Sequence, residues 1–125
     1  TTHLEYVIVK NGKVASRRTL AESSPGSEGI APSFGRFHVG ADESLYAIVS
    51  GTGGKAGARA FGNFLGRIAA DSANVEFTRI DIEHPFGTFF TNTMRGGSAP
   101  SNIIDMFGIA DDNPNLRYAR IRLER

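Results

Sequence analysis

Two stretches decide the fold: Ile68–Glu83, IAADSANVEFTRIDIE, and Ile109–Glu124, IADDNPNLRYARIRLE, set 41 residues apart. Aligned without gaps, they share Ile68/Ile109, Ala69/Ala110, Asp71/Asp112, Asn74/Asn115, Arg79/Arg120, Ile80/Ile121 and Glu83/Glu124, which is seven identities in 16 positions. Val75/Leu116, Phe77/Tyr118 and Ile82/Leu123 are conservative pairs. Each copy reads as the end of one strand, an Asp- and Asn-rich turn, and a second strand. In both, the apolar side of the second strand changes at the same step, between Phe77 and Ile80 and between Tyr118 and Ile121. A bulge or a strong twist gives such a phase change.

Working outward, Phe34-Gly35-Arg36-Phe37 returns as Phe86-Gly87-Thr88-Phe89, offset by 52. Upstream, Asn11-Gly12 between two runs rich in β-branched residues predicts a hairpin over 4–21, and Val14, Arg18 and Glu22 faintly echo the repeat. Residues 22–33 read as a solvated loop, 34–39 and 45–50 as a second hairpin, and 51–58, with four glycines, as a flexible loop. Phe61, Phe64, Leu65 and Ile68 fit a helical template, but Gly62 and Gly66 each cost a helix about 1 kcal/mol, and the repeat settles 61–70 as strand. The chain is thus one all-β domain over 1–125, with repeat units at about 34–83 and 86–124. An all-β unit of about 40–50 residues has the length of a four-stranded propeller blade, so the reading is two to two and a half blades. A small β-sandwich is the alternative. Phe34 to Ile68 spans 34 residues and Phe86 to Ile109 only 23, which predicts one strand fewer in the second unit.

Fourteen Lys and Arg against thirteen Asp and Glu leave a net charge of +1, far from the field that a phosphate backbone requires, so nucleic acid is excluded as a first partner. The hydrophobic residues come in short runs, none near the ~20 needed to span a bilayer as a helix, and no membrane partner is expected. No positively charged, then apolar leader pattern opens the chain, and Thr1 in place of Met reads as processing, trimming or a cut from something longer. Without cysteine there are no disulfides, thiolate metal sites or thiol nucleophiles.

The run from Pro85 through Phe86-Gly87-Thr88-Phe89-Phe90-Thr91-Asn92-Thr93-Met94-Arg95-Gly96-Gly97-Ser98 to Ser101, then Ile104-Asp105-Met106-Phe107-Gly108 and Leu116–Leu123, resembles the final blades of bacterial BNR-repeat, sialidase-like propellers. Gly35–Val49 resembles an inner strand pair of the same class. The family's Asp-box, Ser-x-Asp-x-Gly-x-Thr-Trp, is not present, and the corresponding turns read Asp71–Phe77 and Asp112–Tyr118 in a chain without Trp. What the resemblance implies is part of a propeller that binds or cleaves glycans, acidic polysaccharide or glycoconjugate, as a glycoside hydrolase or polysaccharide lyase within a larger assembly, in an extracellular or periplasmic setting. Two and a half blades do not close a ring, so the expected partners are further blades of the same protein or other chains, with a glycan as ligand. A non-enzymatic β-repeat interaction module is the rival reading.

Within that reading His38 and His84 are the catalytic candidates, and Arg36 and Arg95 the substrate-binding ones. Arg36 and His38 share one face of a strand, so they offer a carboxylate clamp and a base, although a half-buried histidine tied to a neighbouring strand is the plainer reading. His84 precedes Pro85 and is extended, at a channel mouth or merely in a turn. Arg95 beside Gly96-Gly97-Ser98 sets a guanidinium near free amides, suited to carboxylate or sulfate, or makes a plain turn. Arg79, Arg120, Glu83 and Glu124 recur in both units, which points to repeated ion pairs or a solvated face. Asp71, Asp111 and Asp112 suit Asx turns, and the 6–8 oxygens of a Ca²⁺ site are not assembled from one loop. No metal and no cofactor are expected. Asp42, Glu43, Asp81 and Asp105 are available carboxylates that no motif singles out. A terminal-threonine nucleophile at Thr1 belongs with layered α/β folds that this sequence does not encode.

Overall fold

The structure, a computed structural model, describes residues 1–70, 74–92, 99–110 and 112–124. Among them there is no helix, and nine strands form three antiparallel sheets. Strands β1 (Thr2–Lys10) and β2 (Lys13–Ser23) make a hairpin; β3 (Ala31–Val39), β4 (Leu45–Gly53), β5 (Ala60–Ile68) and β6 (Phe77–Arg79) make a four-stranded meander; β7 (Phe86–Thr91), β8 (Ile103–Ala110) and β9 (Asn113–Arg122) make a three-stranded one. The hairpin turns where the sequence places it, with Asn11 and Gly12 both at positive φ, 52° and 75°. That is the backbone a two-residue turn needs to match strand twist. Among the described residues the second unit has one strand fewer than the first, as its shorter spacing predicts.

The 41-residue repeat is a repeat of register. Phe64, Leu65 and Gly66 pair with Arg79, Thr78 and Phe77, while Asp105, Met106 and Phe107 pair with Arg120, Ala119 and Tyr118. The phase change has a simpler origin than a bulge: no register shift falls between Phe77 and Arg79 or between Tyr118 and Ile121, and the shift in the second pair sits at Ile109/Ala110. Ordinary alternation puts Val75 and Phe77 on one side and Ile80 and Ile82 on the other, and both sides are apolar because the four-stranded sheet is covered on both faces. On one, Ala47, Val49 and Ile68 meet Leu4, Tyr6 and Leu20 of the hairpin. On the other, Ile48 and Leu65 meet Phe86, Phe89, Ile104 and Met106 of the three-stranded sheet. Three sheets therefore stack with β4 at the centre, rather than two as in a plain sandwich.

Three boundaries move, the first of them the end of β2, which runs on to Ser23 inside the expected loop. β3 begins at Ala31, inside the expected loop, because a register shift between Pro32 and Phe34 accommodates a residue that lacks an N–H. β4 runs on through Gly51 to Gly53. In β5, Gly66 serves packing rather than flexibility: a Cβ there would lie 2.6 Å from Val75 Cγ1 and 2.9 Å from Phe77 Cδ1, so the missing side chain is what makes room for the Val75 and Phe77 side chains over this point of the sheet.

Candidate functional site

Arg36 and His38 lie on one face of β3, as alternation requires, and that face packs against the β7–β9 layer. His38 is 3 % exposed, and its Nε2 donates to the Ser101 carbonyl at 2.6 Å. A carbonyl only accepts, so Nε2 carries the proton; Nδ1 is buried without a partner. The ring, with the Ser101 N–H donating to the Val39 carbonyl at 3.1 Å, pins the segment before β8 to the end of β3. The ring is closed off from solvent. Arg36 is half-buried, its Nε donates to the Phe89 carbonyl at 3.3 Å, and its guanidinium carbon lies 4.8 Å from the Phe90 ring centre and 5.4 Å from that of Phe34. Its two Nη groups have no acceptor among the described residues.

His84 stands elsewhere, on a cleft of about 350 Å³ shared with Glu83, Phe86, Leu116, Arg117 and Tyr118. Its Nδ1 is 3.3 Å from Asp112 Oδ2 and its Nε2 3.9 Å from Glu83 Oε1. It opens to solvent and His38 does not, so the two histidines do not share a cavity. Arg95, with Gly96, Gly97 and Ser98, lies outside the described residues, as do Asp71 and Asp111. No group of three His, Asp or Glu side chains among the described residues gathers as metal ligands.

The recurring arginines do not pair with the recurring glutamates. Arg79 stacks 4.7 Å over Phe64 and donates to the carbonyls of Gly53, Ala60 and Phe61. Arg120 instead binds Asp105 at 2.8 Å, and the Tyr118 hydroxyl donates to the same oxygen at 2.5 Å. The cause is the residue opposite: Phe64 faces Arg79 across β5–β6, and Asp105 faces Arg120 across β8–β9. The Arg120 hydrogen bond, helped by Tyr118, holds the Asp105 carboxyl below its ordinary pKa of 3.8.

Around this pair lies the feature that sequence reading missed. The outward face of β7–β9 carries a cross-strand aromatic row, Phe90–Phe107–Tyr118, next to the row Thr88–Ile109–Leu116. Phe90 and Phe107 stack with ring centres 5.6 Å apart. Phe90 is 49 % exposed, Phe107 44 %, Ile109 49 %, Leu116 76 % and Tyr118 61 %. The available signal was alternation itself, since the odd-numbered residues of β8 are as apolar as the even ones. Compared with known protein families, curated proteins and solved structures, the chain matches none.

Proposed function

We propose that the chain is a non-enzymatic β-repeat assembly module whose β7–β9 face is covered by another sheet in the working protein. The contiguous exposed row and its neighbour carry the reading: a patch of several large apolar side chains is at the upper end of what a monomer leaves in water, and such patches mark contact sites. The four-stranded meander has the strand number of one blade, and in a propeller the covering sheet would be a further blade. Hydroxyl-radical footprinting in an extract of the producing cells tests the reading. With each rate taken relative to the same residue in the denatured chain, Phe107, Leu116 and Tyr118 are expected to be oxidised several-fold more slowly than Val9 and Val14, which are 60 % and 55 % exposed at the hairpin tip. Equal oxidation of both sets overturns it.

A glycan reading draws on a narrower observation, the stacked Arg36, whose Nη groups have no acceptor among the described residues, beside Phe90. An acidic sugar laid on that ring would present its carboxylate to the guanidinium. Binding to an array of acidic oligosaccharides that Arg36→Ala abolishes supports it, and no binding by the chain removes it.

A further inference from the structure

The two repeat units already pack on each other within the chain. Leu65 and Met106 are equivalent in register and belong to one core; so do Ile80 with Ile121 and Ile82 with Leu123. Each unit spends one face on its counterpart. On the other face the units differ: Ile68, Val75 and Phe77 belong to the apolar cluster that takes in Leu4, Tyr6 and Leu20 of the hairpin, while their equivalents Ile109, Leu116 and Tyr118 are bare.

Resting on the assembly reading above, we propose that this bare face is closed by the same face of a second copy of the chain, in a two-fold symmetric dimer. Area supports the second copy. At roughly 200 Å² per large side chain, the five exposed residues present about 500 Å², so pairing the face with itself removes about 1,000 Å², where specific contacts begin to hold. A cover of the hairpin type does not suit this face. Ala47, which packs with Leu20 of the hairpin, and its cross-strand neighbour Gly66 are both small, and their places in register are taken here by Phe90 and Phe107. Charge selects the orientation. Asp105, Arg120 and Arg122 occupy one end of the face, and the apolar rows the other. With the strands of the two copies antiparallel, the Ile109–Leu116 row of each lies on the Phe107–Tyr118 row of its partner, and the charged ends stay wet at opposite rims. Parallel strands would set the arginines of both copies side by side, which is unfavourable.

Light scattering on the purified chain from about 1 to about 100 μM, the range in which a contact of this size associates, is expected to give twice 13.4 kDa. Ile109→Glu with Leu116→Glu is expected to return the monomer mass with an unchanged β-sheet dichroism spectrum, and Val9→Glu with Val14→Glu to remain dimeric. A readout that does not depend on those variants folding uses the cysteine-free background: Ile109→Cys lies beside the two-fold axis and is expected to cross-link through a short bismaleimide, whereas Val14→Cys is not. A monomer at every concentration, an assembly larger than a dimer, or a dimer cross-linked through Val14→Cys overturns the proposal. If the chain is a monomer but the face is protected in the extract, another partner covers it and the assembly reading stands; if it is a monomer and the face is unprotected, both fall.

Discussion

Asn63 and Ser50, both fully buried in the four-stranded sheet, fasten the first residue of β7 to it. Asn63 Oδ1 accepts from the Phe86 N–H at 2.8 Å, its Nδ2 donates to the Phe86 carbonyl and to Ser50 Oγ at 2.9 Å each, and Ser50 Oγ donates to the same carbonyl at 2.7 Å. Asn63→Ala leaves the Phe86 N–H buried and unpaired, at about 1–3 kcal/mol. The void left by the three lost heavy atoms adds about 1 kcal/mol. The expected loss is about 3 kcal/mol of the 5–15 typical of a domain. Ser50→Ala takes the acceptor from one Asn63 Nδ2 hydrogen but leaves Asn63 serving both the N–H and the carbonyl of Phe86, and is expected to cost about 1 kcal/mol, the lower end of that range. Urea denaturation reads both: at a slope of about 1.5 kcal/mol/M the midpoints fall by about 2 M and about 0.7 M with the slope unchanged. Asn63→Asp adds a pH signature. Burial and the neighbouring carbonyl raise the pKa of the new carboxyl in the folded state above its unfolded value of about 3.9, so this variant is most stable below that value and weakens as pH rises past it. An Asn63→Ala loss under 1 kcal/mol, or a Ser50→Ala loss as large as that of Asn63→Ala, refutes the clamp.

Arg59 donates to the carbonyls of Ser27, Gly29, Thr52 and Gly54, so Arg59→Ala is expected to cost about 1–3 kcal/mol and to speed amide exchange in residues 24–30 and 54–58; Arg59→Lys, with three donors on one nitrogen, recovers only part of this. Gly66→Val forces its side chain into Val75 and Phe77 and is expected to cost about 1–3 kcal/mol, with loss of β6 protection in hydrogen exchange. Asp105 has a lowered folded pKa, so its pairing stabilises the chain above the unfolded carboxylate value and the gain vanishes as pH falls through the folded one; Asp105→Asn removes that acid-side step from the urea midpoint measured between neutral and strongly acid pH.

What local chemistry specifies was legible. Asn11-Gly12 announced the first hairpin, the 41-residue repeat foretold a register that the pairings reproduce, and the short spacing after Phe86 foretold the missing strand. Alternation also put Arg36 and His38 on one face. It could not say what that face meets, because the acceptor for His38 is a backbone carbonyl 63 residues away. Arg59 and Asn63 were invisible for the same reason: their partners are main-chain groups of distant segments, which no side-chain pattern advertises. The bare face of β7–β9 was hidden differently. A strand apolar on both sides reads as buried on both sides, and only the position of the layer in the stack decides which side is left open.

The same register position shows what becomes of a face that is covered and one that is not. At 64, opposite Arg79, stands Phe, buried to 5 % exposure, and the guanidinium lies over its ring and feeds backbone carbonyls. At 105, opposite Arg120, stands Asp, which takes the guanidinium and the Tyr118 hydroxyl onto one oxygen. A carboxylate is tolerated there because water reaches it, and its side chain is 25 % exposed. Arg120 also neutralises it and Tyr118 adds a hydrogen bond, so closing the neighbouring aromatic row under a second sheet strands no bare charge at the edge of the contact. The Asp105–Tyr118–Arg120 group thus marks the boundary of the face: apolar rows on one side are free to be covered, and Arg120 and Arg122 on the other keep that end in solvent.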